Sequence, residues 1–106
     1  MRSLLKEAKL IRWTSPVLTL TVGGIDLSSA DVRLTVEQGD TLVTKTCSAT
    51  YDGKKSTVTA EFTQAETAAF EVGIAYAQIN YVMAGNRGAT KVKAVSILPN
   101  LFEGEL

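Results

Sequence analysis

Apolar and polar residues alternate with a period of two through most of the chain after position 16. In the run 17–22, for example, Leu18, Leu20 and Val22 alternate with threonines, which is typical of a strand with one buried face. Turns rich in glycine and aspartate separate such runs at regular intervals. The predicted strands are 17–22, 31–38, 41–51, 56–62, 74–83 and 90–98. About six or seven short strands at this spacing predict an all-β domain, an antiparallel β-sandwich.

One segment, 63–70, breaks the alternation. Thr63 is followed three residues later by Glu66, the spacing of a capping box in which each side chain accepts a hydrogen bond from the other residue's free amide. Three alanines in the segment favour helix. The pattern predicts one or two helical turns, after which Phe70 closes one end of the core.

The last two predicted strands form a hairpin. The run 74–83 has apolar residues on both faces, which is typical of a central strand covered on both sides. A tight turn at Gly85-Asn86-Arg87-Gly88 leads into 90–98. There the apolar residues change parity, because Val92 and Ala94 fall on one face and Val95 and Ile97 on the other. Either a β-bulge or a strand that crosses to a second contact surface would explain this change.

The two ends of the chain are less regular. Residues 1–12 fit either a short amphipathic helix, with Leu4, Leu5, Ala8 and Ile11 on one side, or an arm that becomes a strand near Lys9. We favour a mobile or partner-docked arm, because so short a helix is marginal alone. Residues 99–106 form an acidic tail with exposed apolar groups that we expect to dock. The predicted organisation is an arm or edge strand at 1–16, one domain at 17–98 and the tail.

Charge and hydropathy restrict the classes of partner. Eleven basic and eleven acidic residues give a net charge of zero without strong clustering, which argues against a nucleic-acid partner. Low net charge also leaves little repulsion against self-association. No apolar run approaches the length of a membrane span, and four charged residues interrupt any apolar core of a signal peptide near the N-terminus. We therefore expect synthesis in the cytoplasm and no membrane partner.

The residues that usually carry catalysis or bind metals are few. The chain has no histidine, which excludes imidazole ligands and histidine-based triads, and its single cysteine, Cys47, excludes an internal disulfide. Glu61, Glu66 and Glu71 lie close in sequence, but the pattern places them around a surface turn rather than facing one another. The sequence predicts no enzyme activity, no metal site and no cofactor.

Aromatic residues offer one alternative function. Trp13, Tyr51, Tyr76 and Tyr81 could form a platform for a sugar ring, so a small carbohydrate-binding module with a glycan partner is the alternative hypothesis. Packing in the core and in subunit contacts is the favoured interpretation of these residues. The predicted contact residues are Trp13, Tyr76, Gln78, Val95, Ile97, Leu101 and Phe102.

Several short motifs after the arm occur together in one family. They are Ile25-Asp26-Leu27-Ser28, the strand 32–38, the run Phe62-Thr63-Gln64-Ala65-Glu66-Thr67 with Phe70 and Gly73, and Gln78 with Gly85 and the closing strand to Val95. With these motifs the chain resembles small phage-derived proteins of Gram-positive bacteria and their prophages. The resemblance implies an immunoglobulin-like β-sandwich similar to the N-terminal domain of phage baseplate upper proteins. It also implies a structural role in the virion or tail, with copies of itself or other phage structural proteins as partners.

Overall fold

The computed structural model describes residues 8–106, and within that range it is almost entirely β-structure. The elements are β1 (Ala8–Ile11), β2 (Val17–Gly23), β3 (Asp31–Gln38), β4 (Thr41–Tyr51), β5 (Lys55–Glu61), α1 (Gln64–Ala68), β6 (Gly73–Met83), β7 (Asn86–Ala89) and β8 (Lys93–Leu98). The prediction of an all-β domain is confirmed. So are the strands that correspond to β2, β3, β4, β5 and β6, which differ from their predicted bounds by at most one residue at either end.

The eight strands belong to one continuous sheet that folds over on itself. Its order is β1-β8-β6-β3-β4-β5-β2, with β7 also pairing to β6. The fold-over lies within β4, because residues 41–47 pair with β3 whereas residues 48–51 pair with β5. Inward side chains from both halves form one core, and Phe70 and Leu27 are among its fully buried members.

Of the two alternatives for the N-terminal segment, a helix or a strand near Lys9, the structure shows the strand. β1 pairs in parallel with β8, so that Leu10 lies opposite Ile97, and its Leu10 side chain enters the core. A helix continuing through Ile11 is therefore wrong, and the sheet is not purely antiparallel as predicted. Residues 1–7, which hold most of the proposed amphipathic face, lie outside the described range.

The predicted capping box is present. The Thr63 amide donates to Oε1 of Glu66 at 2.8 Å, and the Glu66 amide donates to Oγ1 of Thr63 at 3.2 Å. The helix spans only Gln64–Ala68, and Phe70 follows with a fully buried side chain, as predicted. Nζ of Lys45 on β4 lies 2.8 Å from a carboxylate oxygen of Glu66, so the cap also fastens α1 to the sheet.

The Glu66 carboxylate makes stability depend on pH. Burial raises the pKa of this group, but the hydrogen bonds from Lys45 and from the Thr63 amide outweigh it, and the net pKa is lowered. A carboxylate whose pKa is lower in the folded state stabilises the fold at pH values above its pKa in the unfolded chain. This stabilisation is lost as pH falls through the folded-state pKa. We expect Glu66→Gln to cost about 1 kcal/mol at pH 7 and progressively less towards pH 3.

Urea unfolding of both proteins across this pH range measures the difference. Glu71→Gln is the control, because Glu71 is an exposed carboxylate five residues along the same connection. A difference between wild type and Glu66→Gln that stays constant from pH 7 to pH 3 would contradict this role of the carboxylate.

A β-bulge interrupts the pairing of β6 just before the last strand. Asn80 lies opposite Ala89 in β7, but Ala77 lies opposite Lys93 in β8. Two residues of β6 therefore face three residues, 90–92, and one residue is extra. This bulge does not cause the parity change, because residues 93–97 pair with β6 without interruption, with Ala94 on the exposed face and Val95 on the buried one. A bulge at the parity change, one of the two predicted explanations, is therefore wrong.

Three other predictions for this region need correction. Of the predicted tight turn 85–88, only Gly85 belongs to the turn, which it makes with Ala84, both with positive φ as in a type I′ hairpin, and residues 86–88 lie in strand β7. The predicted strand 90–98 begins only at Lys93. Val95 and Ile97, predicted as contact residues, are fully buried in the core of the chain, so they are unavailable to a partner.

Candidate functional site

The outer face of the sheet is defined by the β6 side chains that point away from the core. Ala75 and Ala77 are buried, so Ile74, Tyr76 and Gln78 alternate with them on the outside. The Tyr76 side chain is 53% exposed. The apolar residues predicted on both faces of this strand are therefore present, but no other part of the described chain covers the outer ones.

Register places Tyr76 in the middle of this outer face. Tyr76 pairs with Glu37 of β3 on one side and with Ala94 of β8 on the other. Glu37 in turn pairs with Leu42 of β4. A shallow groove of about 250 Å³ runs beside the ring, with Leu42 and Val92 among its lining residues. The exposed large apolar side chains on this face or at its border are Ile11, Leu42, Val72, Ile74, Tyr76 and Val92. Polar side chains lie among them, since Glu37 separates Tyr76 from Leu42 in the register. Several large exposed apolar side chains on one face are a candidate interaction surface.

Gln78 connects the outer face of β6 to the loop that precedes β8. Its Nε2 donates to the carbonyl of Thr90 at 2.9 Å, while the Thr90 hydroxyl accepts from the Ile79 amide at 3.1 Å. These bonds satisfy backbone groups that the bulge leaves without ladder partners. Gln78, predicted as a contact residue, thus bonds to a neighbouring loop of its own chain, and Val92 of that loop lies beside Tyr76 in the groove.

The C-terminal tail docks on its own domain through polar groups. Glu103 pairs with Arg12 at 2.7 Å, and Gln64 exchanges two hydrogen bonds with the backbone of Leu106, at 2.8 and 3.2 Å. The apolar side chains of the tail point away from these contacts. Leu101 and Leu106 are fully exposed and Phe102 is 56% exposed. We call these three side chains the tail knob. The sequence predicted docking by the apolar groups of the tail, whereas within residues 8–106 the tail is held by polar contacts and the knob stays exposed.

The four aromatic residues of the predicted sugar platform lie on different parts of the fold. Tyr51 ends β4, Tyr76 lies on the outer face, and Tyr81 is half-buried on the inner side of β6. Trp13 occupies the turn after β1 with a φ of 66°, and its buried indole N–H has no acceptor within residues 8–106. The structure does not bring these rings together.

Cys47 and Glu66, the residues with the most reactive side-chain types considered above, make contacts that stabilise the fold. The Cys47 thiol donates to the Lys45 carbonyl at 3.4 Å, and burial raises its pKa, whereas a nucleophilic cysteine needs a lowered value. Glu66 serves the helix cap. Throughout residues 8–106 no three metal-ligating side chains cluster, and the same range has no helix long and apolar enough to cross a membrane.

Comparison with known proteins gives no relative to set beside this geometry. The chain matches no protein-family model, and no curated protein is significantly similar to it.

Proposed function

We propose that this chain is a non-enzymatic, immunoglobulin-like structural module of a phage or prophage particle that associates with copies of itself through the outer face. The observation that carries the self-association is the exposed apolar surface around Tyr76, which is supported by a rigid sheet and fixed by the Gln78 bonds.

Strand pairing supports the immunoglobulin-like assignment. One part of the sheet has the order β2-β5-β4, and the other has β8-β6-β3-β4. In an immunoglobulin fold strand E lies between B and D, and strand F lies between C and G. Equating β2, β3, β5, β6 and β8 with strands B, C, E, F and G reproduces both orders, and β4 supplies the remaining edge of each sheet.

The composition of the outer face favours a protein partner over a small ligand. Six large apolar side chains are exposed on it or at its border, together with Glu37 and Gln78, and the neighbouring Asp31 and Arg33 side chains bind each other at 3.0 Å. Tyrosine is enriched at the centre of protein interfaces because its ring buries apolar area while its hydroxyl stays hydrated. In a two-fold contact the large Tyr76 ring would meet the small Ala94 of the other copy if the axis ran between β6 and β8.

We expect Tyr76→Glu to weaken self-association by at least about tenfold, because a charge at the centre of an apolar contact must be desolvated without a partner. Size-exclusion chromatography with light scattering measures the mass over a range of concentrations. Tyr51→Glu is the matched control, since Tyr51 is exposed at the end of β4, away from the outer face.

Wild-type protein that stays monomeric at about millimolar concentration, where even a weak specific contact is populated, would overturn the self-association. Equal weakening by the two substitutions would exclude the outer face as the contact. The particle assignment has a separate test, which is mass spectrometry of phage particles released by a strain that carries the gene. Absence of the protein from purified particles would contradict it.

A further inference from the structure

The edge strand β2 borders a groove that is lined by apolar residues and lysines. Within residues 8–106, β2 pairs only with β5, so the other backbone edge of β2 faces an open groove of about 410 Å³. Leu20 and Val22 line one side, and the bulge with Lys91 and Lys93 lines the other. The described lining contains two lysines and no acidic residue, so the groove favours an apolar segment that carries negative charge.

The tail of this chain has that composition. Residues 101–106 read LFEGEL, and they combine the exposed knob with Glu103 and Glu105. The three large apolar side chains of the knob are grouped on one short segment, and such groups mark sites of contact with a partner. The two features therefore complement each other in both hydrophobicity and charge.

The same copy cannot join its own tail to its own groove in this structure. The tail is bonded to Gln64 and Arg12, at the end of the fold where β2 begins. The groove follows the second half of β2, from Leu20 to Gly23, and the whole strand is about 20 Å long. Knob and groove thus lie on different parts of the surface, the arrangement that produces head-to-tail contacts between copies.

We propose that the tail of one copy binds the β2 groove of the next copy, with the knob over Leu20 and Val22 and with Glu105 facing Lys91 and Lys93. The backbone edge of β2 has no charged residue to prevent strand addition, so a tail released from Gln64 can also pair with it. This contact rests on the proposed self-assembling function and extends it, because a head-to-tail contact propagates into a ring or filament, whereas a two-fold contact stops at a dimer.

Charge reversal in the Tyr76→Glu background tests the contact apart from the outer face. We expect Glu105→Lys, or Lys91→Glu with Lys93→Glu, to weaken association by at least about tenfold, because like charges would then meet. An equimolar mixture of the two variants should recover the association, since each tail then finds a groove of opposite charge. Lys54→Glu, an exposed lysine in the turn before β5, is the control, and sedimentation velocity is the measurement.

Disulfide trapping tests the same contact by geometry. In a Cys47→Ser background, a mixture of Phe102→Cys protein and Thr21→Cys protein should form a cross-linked heterodimer faster than a mixture with Asp40→Cys, which lies in the exposed turn between β3 and β4 and does not line the groove. Equal trapping rates, or no recovery in the charge-reversed mixture, would overturn the head-to-tail contact. If association instead depends on Tyr76 and ignores Glu105, the outer-face proposal stands and this one fails. If wild-type protein does not associate at all, both fail.

Discussion

Replacing Phe70 by alanine is expected to lower the free energy of unfolding by about 3–5 kcal/mol, the cost of removing a fully buried aromatic side chain. Phe70 is 0% exposed and follows α1 at the end of the core. Its carbonyl accepts from Nε of Arg12 at 2.7 Å, so the residue also joins the helix connection to the turn after β1. Because small domains are stable by only about 5–15 kcal/mol, this loss is a large fraction of the total.

Urea unfolding followed by circular dichroism measures the effect, and Phe102→Ala is the matched control. Phe102 has the same side chain but is 56% exposed on the tail, so its replacement should change stability by less than about 0.5 kcal/mol. A loss below about 1 kcal/mol for Phe70→Ala would mean that the core closes without this ring, and the role assigned to it would be wrong.

Features with a local physical cause could be predicted from the sequence. A strand with one face in the core requires a period of two, and this pattern located β3 and β4 to the residue. The capping box needs only Thr63 and Glu66, three residues apart, so it too is visible in sequence. The buried position of Phe70 follows from where the cap ends the strand pattern.

Features that depend on distant pairing could not be predicted in the same way. The residues of β7 have turn-forming composition, and they become a strand because β6 offers backbone partners across a two-residue turn. Val95 and Ile97 are buried because β1 and β6 flank β8, and a parity change in sequence does not say which parity faces the core. The parallel pairing of β1 with β8 joins the two ends of the chain.

The candidate surfaces also differ in whether they depend on local pattern or on distant contacts. Tyr76 and Gln78 could be placed on an outer face because alternation along β6 fixes their side. The ordered tail could not be predicted, because Gln64 and the Leu106 backbone that it binds are 42 residues apart. The groove beside β2 depends on the bulge at 90–92, whose position only the register of two strands defines.

Ser56 is a further residue whose importance depends on a distant contact. It reads as one small polar residue at the start of a threonine-rich strand, yet its side chain is fully buried. Its Oγ accepts from the Leu27 amide at 2.8 Å and donates to the Ile25 carbonyl at 2.7 Å. These two bonds hold the loop after β2 against β5, and they place the Leu27 side chain in the core.

We expect Ser56→Ala to lower the free energy of unfolding by about 1–3 kcal/mol, because the Leu27 amide would remain buried without its acceptor. The methyl group left by the substitution is small enough to create little strain, so the cost comes from the hydrogen bonds. Urea unfolding gives the total, and hydrogen exchange at the Leu27 amide gives the local effect, which should be a loss of protection that exceeds the global change.

Ser48→Ala on β4 is the control, since Ser48 is exposed and its replacement should be nearly neutral. Unchanged stability in Ser56→Ala together with full protection of the Leu27 amide would show that the loop is held by the burial of Leu27 alone. Destabilisation with uniform loss of protection would instead place the effect in the core around β5, because a loop fastened by these two bonds must open before the rest of the sheet.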